Sequence, residues 1–203
     1  MTSQPPQHLP AEHSTARQLR ADARRNRECV LQTAQRLFAH HGLGVSLDEI
    51  ARRAGVGPGT VHRHFPTKEA LYLAVSIDQL EHLVAEAAAL AATDDPAAVF
   101  TLLARMIANG AANSAVKSAL SAAEFDMRTA APGVAEDLSR YVADLLDRAR
   151  AARVVRDDVT ADEAMALVAG AFAAIHHADA QASAGRSAHL AEIILDGLRP
   201  RAR

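Results

Sequence analysis

Five side chains within nine residues carry groups suited to nucleic acid: Thr60, His62, Arg63, His64 and Lys68. Arg63 can donate a bidentate pair to guanine O6 and N7 or clamp a phosphate, and the His62 imidazole can donate to the same acceptors. Thr60 is suited to a phosphate oxygen or a thymine methyl, while Gly57 and Gly59, lacking a Cβ, allow close backbone approach. His64 and Lys68 are expected at phosphates, Lys68 beside the amide-rich start of a further helix. Ser46 adds a hydroxyl or backbone N–H at the start of the preceding helix. Arg52 and Arg53 are open between phosphate contact and packing. Upstream, Arg17, Arg20, Arg24, Arg25 and Arg27 form either a basic arm along phosphates or in a minor groove, or a solvated charged face.

A reading head of this kind works only when rigid elements present it. From Ser46 to Lys68 the chain reads SLDEIARRAGVGPGTVHRHFPTK, two short apolar-periodic segments about a glycine turn. Leu47, Ile50, Ala51 and Ala54 recur at helical spacing, Ser46 stands where an N-cap hydroxyl belongs with Glu49 three residues on, and Gly55 can take the left-handed conformation that ends a helix. Val56 plugs the corner. Pro58 fits the first turn of a second helix, whose Val61 and Phe65 share a face while Thr60, His62, Arg63 and His64 point elsewhere. The pattern is a helix-turn-helix.

From about Arg25 to Tyr72 the chain resembles the DNA-binding domain of the tetracycline-repressor (TetR) family of transcriptional regulators. The resemblance rests on an arginine-led first helix with Ala34, Leu37, Phe38 and Gly42, then LDEIARRAGV, GTVHRHF and the PTKEALYLAV opening of a long fourth helix. It implies a homodimer whose last two helices pair with their symmetry mates as a four-helix interface. It also implies a small-molecule effector that enters the body among helices four to eight and shifts the recognition helices apart. The family often has tyrosine where this chain has His62 and His64, so imidazoles replace phenols there. Beyond residue 90 family members share architecture and little sequence, so the identity of the effector does not carry over.

Composition agrees with a helical regulator. The chain has 203 residues, enough for one large or two small domains, and its 49% hydrophobic content comes largely from alanine, with 3% aromatic residues, which favours helix. A lone cysteine, Cys29, excludes an internal disulfide framework and suits a reducing cytoplasm; a small buried residue of the first helix is expected there. No stretch approaches the roughly 20 apolar residues that span a bilayer, so no membrane partner is expected. The net charge of −2 conceals a split: residues 1–70 carry +4, with six of the ten histidines, and residues 71–203 carry −6. An electropositive head on an acidic body is the expected arrangement.

The domain expectation is a mobile arm at 1–20, a helix-turn-helix domain at 21–66 and a helical effector-binding and dimerisation domain at 67–199. The fold class is all-α, with about nine helices and no strand run. The first helix is expected over Asp22–His41, with Val30, Leu31, Ala34, Leu37 and Phe38 buried and Gly42 as its stop. Thr67 caps the fourth, whose apolar face runs through Leu71, Val75, Leu80 and Leu83 to Leu90, ending at Asp94-Asp95-Pro96. Pro96 opens a fifth helix to about Ala112. Ser114–Met127 is expected as the sixth, Pro132-Gly133 as a turn and Val134 to about Arg153 as the seventh. Thr160 and Glu163 form a capping box for the eighth, through about Gln181, and Ser187–Leu198 is the ninth. Met165, Val168, Phe172, Ile175, Leu190, Ile193, Ile194 and Leu198 make these last two more apolar than a lone domain needs.

Candidates for effector contact, on inward faces with a polar handle or adaptable bulk, are His82, Phe100, Met106, Asn109, Phe125, Met127, Tyr141, Phe172 and His176; the competing reading of each is plain core. His176-His177 with Asp179, and His82, suggest metal ligands, but adjacent helical residues point about 100° apart and cannot readily serve one ion. No metal and no cofactor are expected. No G-x-S-x-G, phosphate loop, H-E-x-x-H or C-x-x-C occurs, so no enzyme is expected. The resulting expectation is a homodimeric, ligand-responsive repressor of a pseudo-palindromic DNA operator. Two rivals stand beside it: a regulator without small-molecule control, and a helical enzyme or metal-binding protein.

Overall fold

A computed structural model describes residues 11–41, 44–120, 127–177 and 184–200, and over these the regular structure is helical throughout. Among the described residues the helices are α1 (Ala11–His41), α2 (Leu47–Ala54), α3 (Pro58–His64), α4 (Lys68–Ala91), α5 (Ala98–Leu120), α6 (Met127–Ala130), α7 (Pro132–Ala151), α8 (Ala161–His177) and α9 (Ala184–Asp196). None is long and apolar enough to cross a membrane.

Two cores organise them. In the first, Val30, Leu31, Ala34, Leu37 and Phe38 of α1, spaced on one helical face, close over Leu47, Ile50 and Ala51 of α2, Val61 of α3, and Leu71, Tyr72 and Val75 of α4. The Phe38 and Tyr72 rings meet edge to face, with centroids 5.9 Å apart. Burial pushes the Tyr72 phenol above its ordinary range, against the opposing effect of a hydrogen bond with Ser76. The second core gathers Leu83 and Ala87 of α4, Leu102, Leu103, Met106 and Ile107 of α5, Leu138, Val142, Leu145 and Leu146 of α7, Val168 of α8 and Leu198 beyond α9. Helix α4 belongs to both. The boundary expected after residue 66 therefore falls just ahead of three residues still committed to the first core.

Several element limits differ from those expected. Helix α1 begins at Ala11 instead of Asp22, because no proline or glycine follows Pro10 until the end of the helix to interrupt it. Helix α5 does not stop near Ala112 but continues to Leu120, so Ser114–Met127 is not a separate sixth helix; α6 is the single turn Met127–Ala130. Gly110 within α5 costs only about 1 kcal/mol against alanine, too little to end a helix that buries Val99, Leu102, Leu103, Met106 and Ile107. Pro132-Gly133 is not a turn between helices but the first turn of α7, where a missing amide hydrogen is tolerated. Helix α9 starts at Ala184, three residues before Ser187. Gly42 and Gln181, expected as helix ends, lie outside the described residues. Cys29 is exposed, not buried, on the outward face of α1.

Long-range contacts fasten the body. Arg148 of α7 donates Nη1 to the Ala91 carbonyl at 2.6 Å and Nη2 to the Thr93 carbonyl, closing the C-terminal end of α4. Arg150 Nη1 donates to the Val159 carbonyl at 3.0 Å, and the Arg156 amide to the Leu198 carbonyl at 3.0 Å. Helix α8 opens on the expected capping box: the Glu163 amide donates to Thr160 Oγ1 at 3.2 Å and the Thr160 amide to Glu163 Oε2 at 2.8 Å, which lowers the Glu163 pKa.

Candidate nucleic-acid interface

Helix α2 is defined at both ends by local chemistry. Ser46 Oγ accepts from the Glu49 amide at 3.2 Å. At the other end Gly55 adopts φ 69°, ψ 24°, and the Gly55 and Val56 amides donate to the Arg52 and Ala51 carbonyls at 3.3 and 3.0 Å. That pair of bonds is a Schellman closure, and its accompanying apolar contact is supplied by buried Val56 and Ala51. The capping box expected at Ser46 is only half formed. The Glu49 carboxylate turns to Arg52, Nε and Nη2 at 2.8 and 2.7 Å, and to Arg53 Nε at 2.6 Å. Hydrogen bonds from Arg52 and then Arg53 lower the Glu49 pKa to about 2. Both guanidinium groups therefore already hold an anion on the surface of α2.

Helix α3 follows after one connecting turn. Gly57 and Pro58 start it with backbone bonds alone, from the Thr60 and Val61 amides to the Gly57 carbonyl at 2.9 and 3.3 Å. Val61 and Phe65 are buried against the first core, which turns His62, Arg63 and His64 to solvent and leaves Thr60 half-buried. Gly57, Pro58 and Gly59 are exposed at the leading edge with Ser46. Arg63 Nη2 donates to Thr60 Oγ1 at 3.2 Å, so two of these side chains are held together before any partner arrives. His62 Nε2 lies 2.8 Å from Asp48 Oδ1 on α2. The sequence reading missed this contact; the fourteen-residue separation gave no local signal for it.

Lys68 is the first residue of α4, half-buried, behind Thr67, whose Oγ1 accepts from the Ala70 amide at 3.1 Å. Arg24 and Arg25 are exposed on α1, Arg24 Nε 3.8 Å from Glu28 Oε1 and Arg25 paired with Asp22. A crevice of about 220 Å³ separates α1 from α3, lined by Asn26, Arg27, Thr60 and His64 over a floor that includes Val30 and Phe65. The structure therefore groups Ser46, Gly57, Pro58, Gly59, Thr60, His62, Arg63 and His64 on the two short helices and their connecting turn, with Lys68 and the α1 arginines on adjoining elements.

The residues expected at an effector site separate. Phe100 and Met106 are buried in the second core, and the Arg199 guanidinium lies 4.6 Å from the Phe100 ring centroid. Asn109 is half-buried and engaged, and half-buried Tyr141 has the Arg140 guanidinium 5.2 Å from its ring centroid. His82 is not inward: it is exposed, its Nδ1 2.7 Å from the Asp78 carbonyl oxygen, because Leu83 beside it takes the core position. Phe125 lies outside the described residues, as do the side chains of Met127, Phe172 and His176. On α8 and just beyond α9, Val168 and Leu198 are buried in the second core, while Leu167 of α8 and Ile193 of α9 are left 42% and 55% exposed.

Residues 94–200 match the model of the C-terminal domain of SbtR-like transcriptional regulators, and residues 30–75 the model of bacterial regulatory proteins of the tetR family. The fold is similar to that of a TetR transcription regulatory protein from Mycobacterium vanbaalenii, with 40% identity, 90% of this chain and 99% of that one covered, and a TM-score of 0.70. A TetR transcriptional regulator from Streptomyces coelicolor is 30% identical, with 87% and 99% covered and a TM-score of 0.66. An HTH-type transcriptional regulator of Staphylococcus aureus (strain USA300) is 39% identical over 54 residues, which are 26% of this chain and 29% of that relative.

Proposed function

Because this chain belongs to the TetR family of transcriptional regulators, we propose that it is a homodimeric repressor that binds a pseudo-palindromic operator with two copies of α3 and releases it on binding a small molecule in the helical body. The observation that carries this reading is the row His62, Arg63 and His64, exposed on one side of a helix whose other side, Val61 with the adjoining Phe65, is buried. A buried seam fixes the helix, and the opposite face is free to enter a major groove. Arg63 reads a guanine, Thr60, His64 and Lys68 contact phosphates, and Arg24 and Arg25 of α1 lie along the backbone. Two copies joined through α8 and α9 present the recognition helices about 34–36 Å apart, one turn of duplex.

Release requires only that the effector favour the dimer state whose recognition helices no longer match successive grooves. Helix α4 is suited to carry that change, since its first turns pack in the first core and its later turns in the second. Effector contact is assigned to the body side chains Phe100, Met106, Asn109 and Tyr141. The experiment is selection of bound sites from randomised duplexes, followed by titration of two variants. Arg63→Ala should weaken operator binding by about 1–3 kcal/mol and relax one base position, while Lys68→Ala should weaken all sequences alike and make the salt slope shallower by about one unit. Wild-type behaviour in both variants would overturn the assignment of α3 to the groove.

A further inference from the structure

We propose that Asp48 is the residue that decides what His62 reads: by holding the Nε2 proton it leaves Nδ1 as the free ring nitrogen, so that the ring, when neutral, selects a base pair displaying an amino group and rejects guanine. The inference rests on the proposed entry of α3 into the major groove. Its basis is the contact between His62 Nε2 and Asp48 Oδ1 at 2.8 Å, which joins the two short helices across their outer surface. A carboxylate can only accept, so the proton of this bond belongs to Nε2. In a neutral imidazole the lone pair is then on Nδ1, and an acceptor pairs in the major groove with adenine N6 or cytosine N4 while meeting guanine O6 and N7 lone pair to lone pair. This reverses the simpler expectation that His62 donates to guanine.

The carboxylate also acts through its charge. Asp48 is 71% exposed beside the reading head, so its charge is felt by the same phosphates that His64 and Lys68 are proposed to approach. Glu49, its neighbour on α2, is occupied by Arg52 and Arg53, whereas Asp48 lies against the recognition helix. A negative side chain there disfavours every sequence equally. The pair thus exchanges affinity for discrimination.

The two functions separate in one experiment, binding-site selection and titration at about pH 8, above the ordinary histidine range. His62→Ala should flatten one base position and its symmetry mate. Asp48→Ala should open that same position to guanine, reducing discrimination there about threefold to tenfold, the worth of one hydrogen bond, while tightening binding to non-operator duplex and steepening the salt slope. Asp48→Asn loses the charge and offers a donor beside its acceptor, so it should tighten binding and keep only part of the base preference that Asp48→Ala loses. Both residues are exposed, so the variants keep the core intact. The proposal is overturned if Asp48→Ala leaves that position unchanged, or if it weakens all DNA alike as loss of a mere strut would. If His62→Ala is silent while Arg63→Ala still alters selection, this inference fails and the groove assignment stands; if both are silent, the groove assignment itself fails.

Discussion

Helix α4 reaches from the head into the body, and Arg148 of α7 bonds two carbonyls at its far end, so Arg148→Met is the most direct test of how firmly it is fixed. The guanidinium makes two bonds to carbonyls at the helix C-terminus, where a cation is also favoured by the helix dipole. A hydrogen bond from a charged group contributes about 1.5–3 kcal/mol where solvent is partly excluded, which describes the bond to Ala91 at 2.6 Å. The bond to the exposed Thr93 carbonyl is screened and adds less than about 1 kcal/mol. Methionine keeps the aliphatic stem, so packing against α7 survives and the lost bonds dominate. The expected cost is about 2–3 kcal/mol, or a fall in Tm of about 4–12 °C for a chain of this length. Arg148→Lys should recover roughly half, since an ammonium reaches one carbonyl well but not two. Urea unfolding followed by circular dichroism, at one protein concentration because the proposed dimerisation would add to apparent stability, supplies the measurement. A methionine variant within about 0.5 kcal/mol of wild type would refute the reasoning and leave α4 held by apolar packing alone.

Gly55→Ala should destabilise by about 1–2 kcal/mol in the same assay, because a new Cβ meets nothing within 4 Å and the whole cost is the backbone at φ 69°. Arg153 takes φ 59° at the matching position after α7, so Arg153→Gly should stabilise by up to about 1 kcal/mol; loss of stability there would contradict the argument from left-handed strain. The Glu49 carboxyl should titrate near 2 by carbon-13 NMR, against 4.5 for a free group. Since its folded pKa is depressed, the pairing stabilises above about 4.5 and is lost as pH falls towards 2, and about 1 M salt should move the titration back upward. Ile193→Glu should convert a dimer to a folded monomer in light scattering, because Ile193 is 55% exposed in the protomer; an unchanged dimer would remove α9 from the interface.

The head was legible because its determinants are local. Ser46, Gly55, Pro58 and the spacing of Leu47, Ile50, Val61 and Phe65 act within a few residues, so capping and periodicity specify two helices and the turn between them without reference to the rest of the chain. The Thr160–Glu163 box was legible for the same reason. Ser46–Glu49 obeys the same pattern and still differs, since two arginines one turn away offer the carboxylate charged donors that outcompete a single exposed amide. Local signals failed in α5, where they predict a stop near Ala112; the apolar face buried by the helix outweighs the propensity cost of Gly110. They also failed for Cys29 and His82, whose helical phase turns them outward although their neighbours Val30 and Leu83 are buried. What only the tertiary structure decided is which groups from distant segments meet. The angle between α2 and α3 brings Asp48 to His62, α7 brings Arg148 to the end of α4, and the packing of α8 and α9 takes Val168 and Leu198 inward while leaving Leu167 and Ile193 outside. Amino-acid type and spacing define the faces of each helix, but the partner of a face is set by the competition of all faces for one core, and that competition is not local.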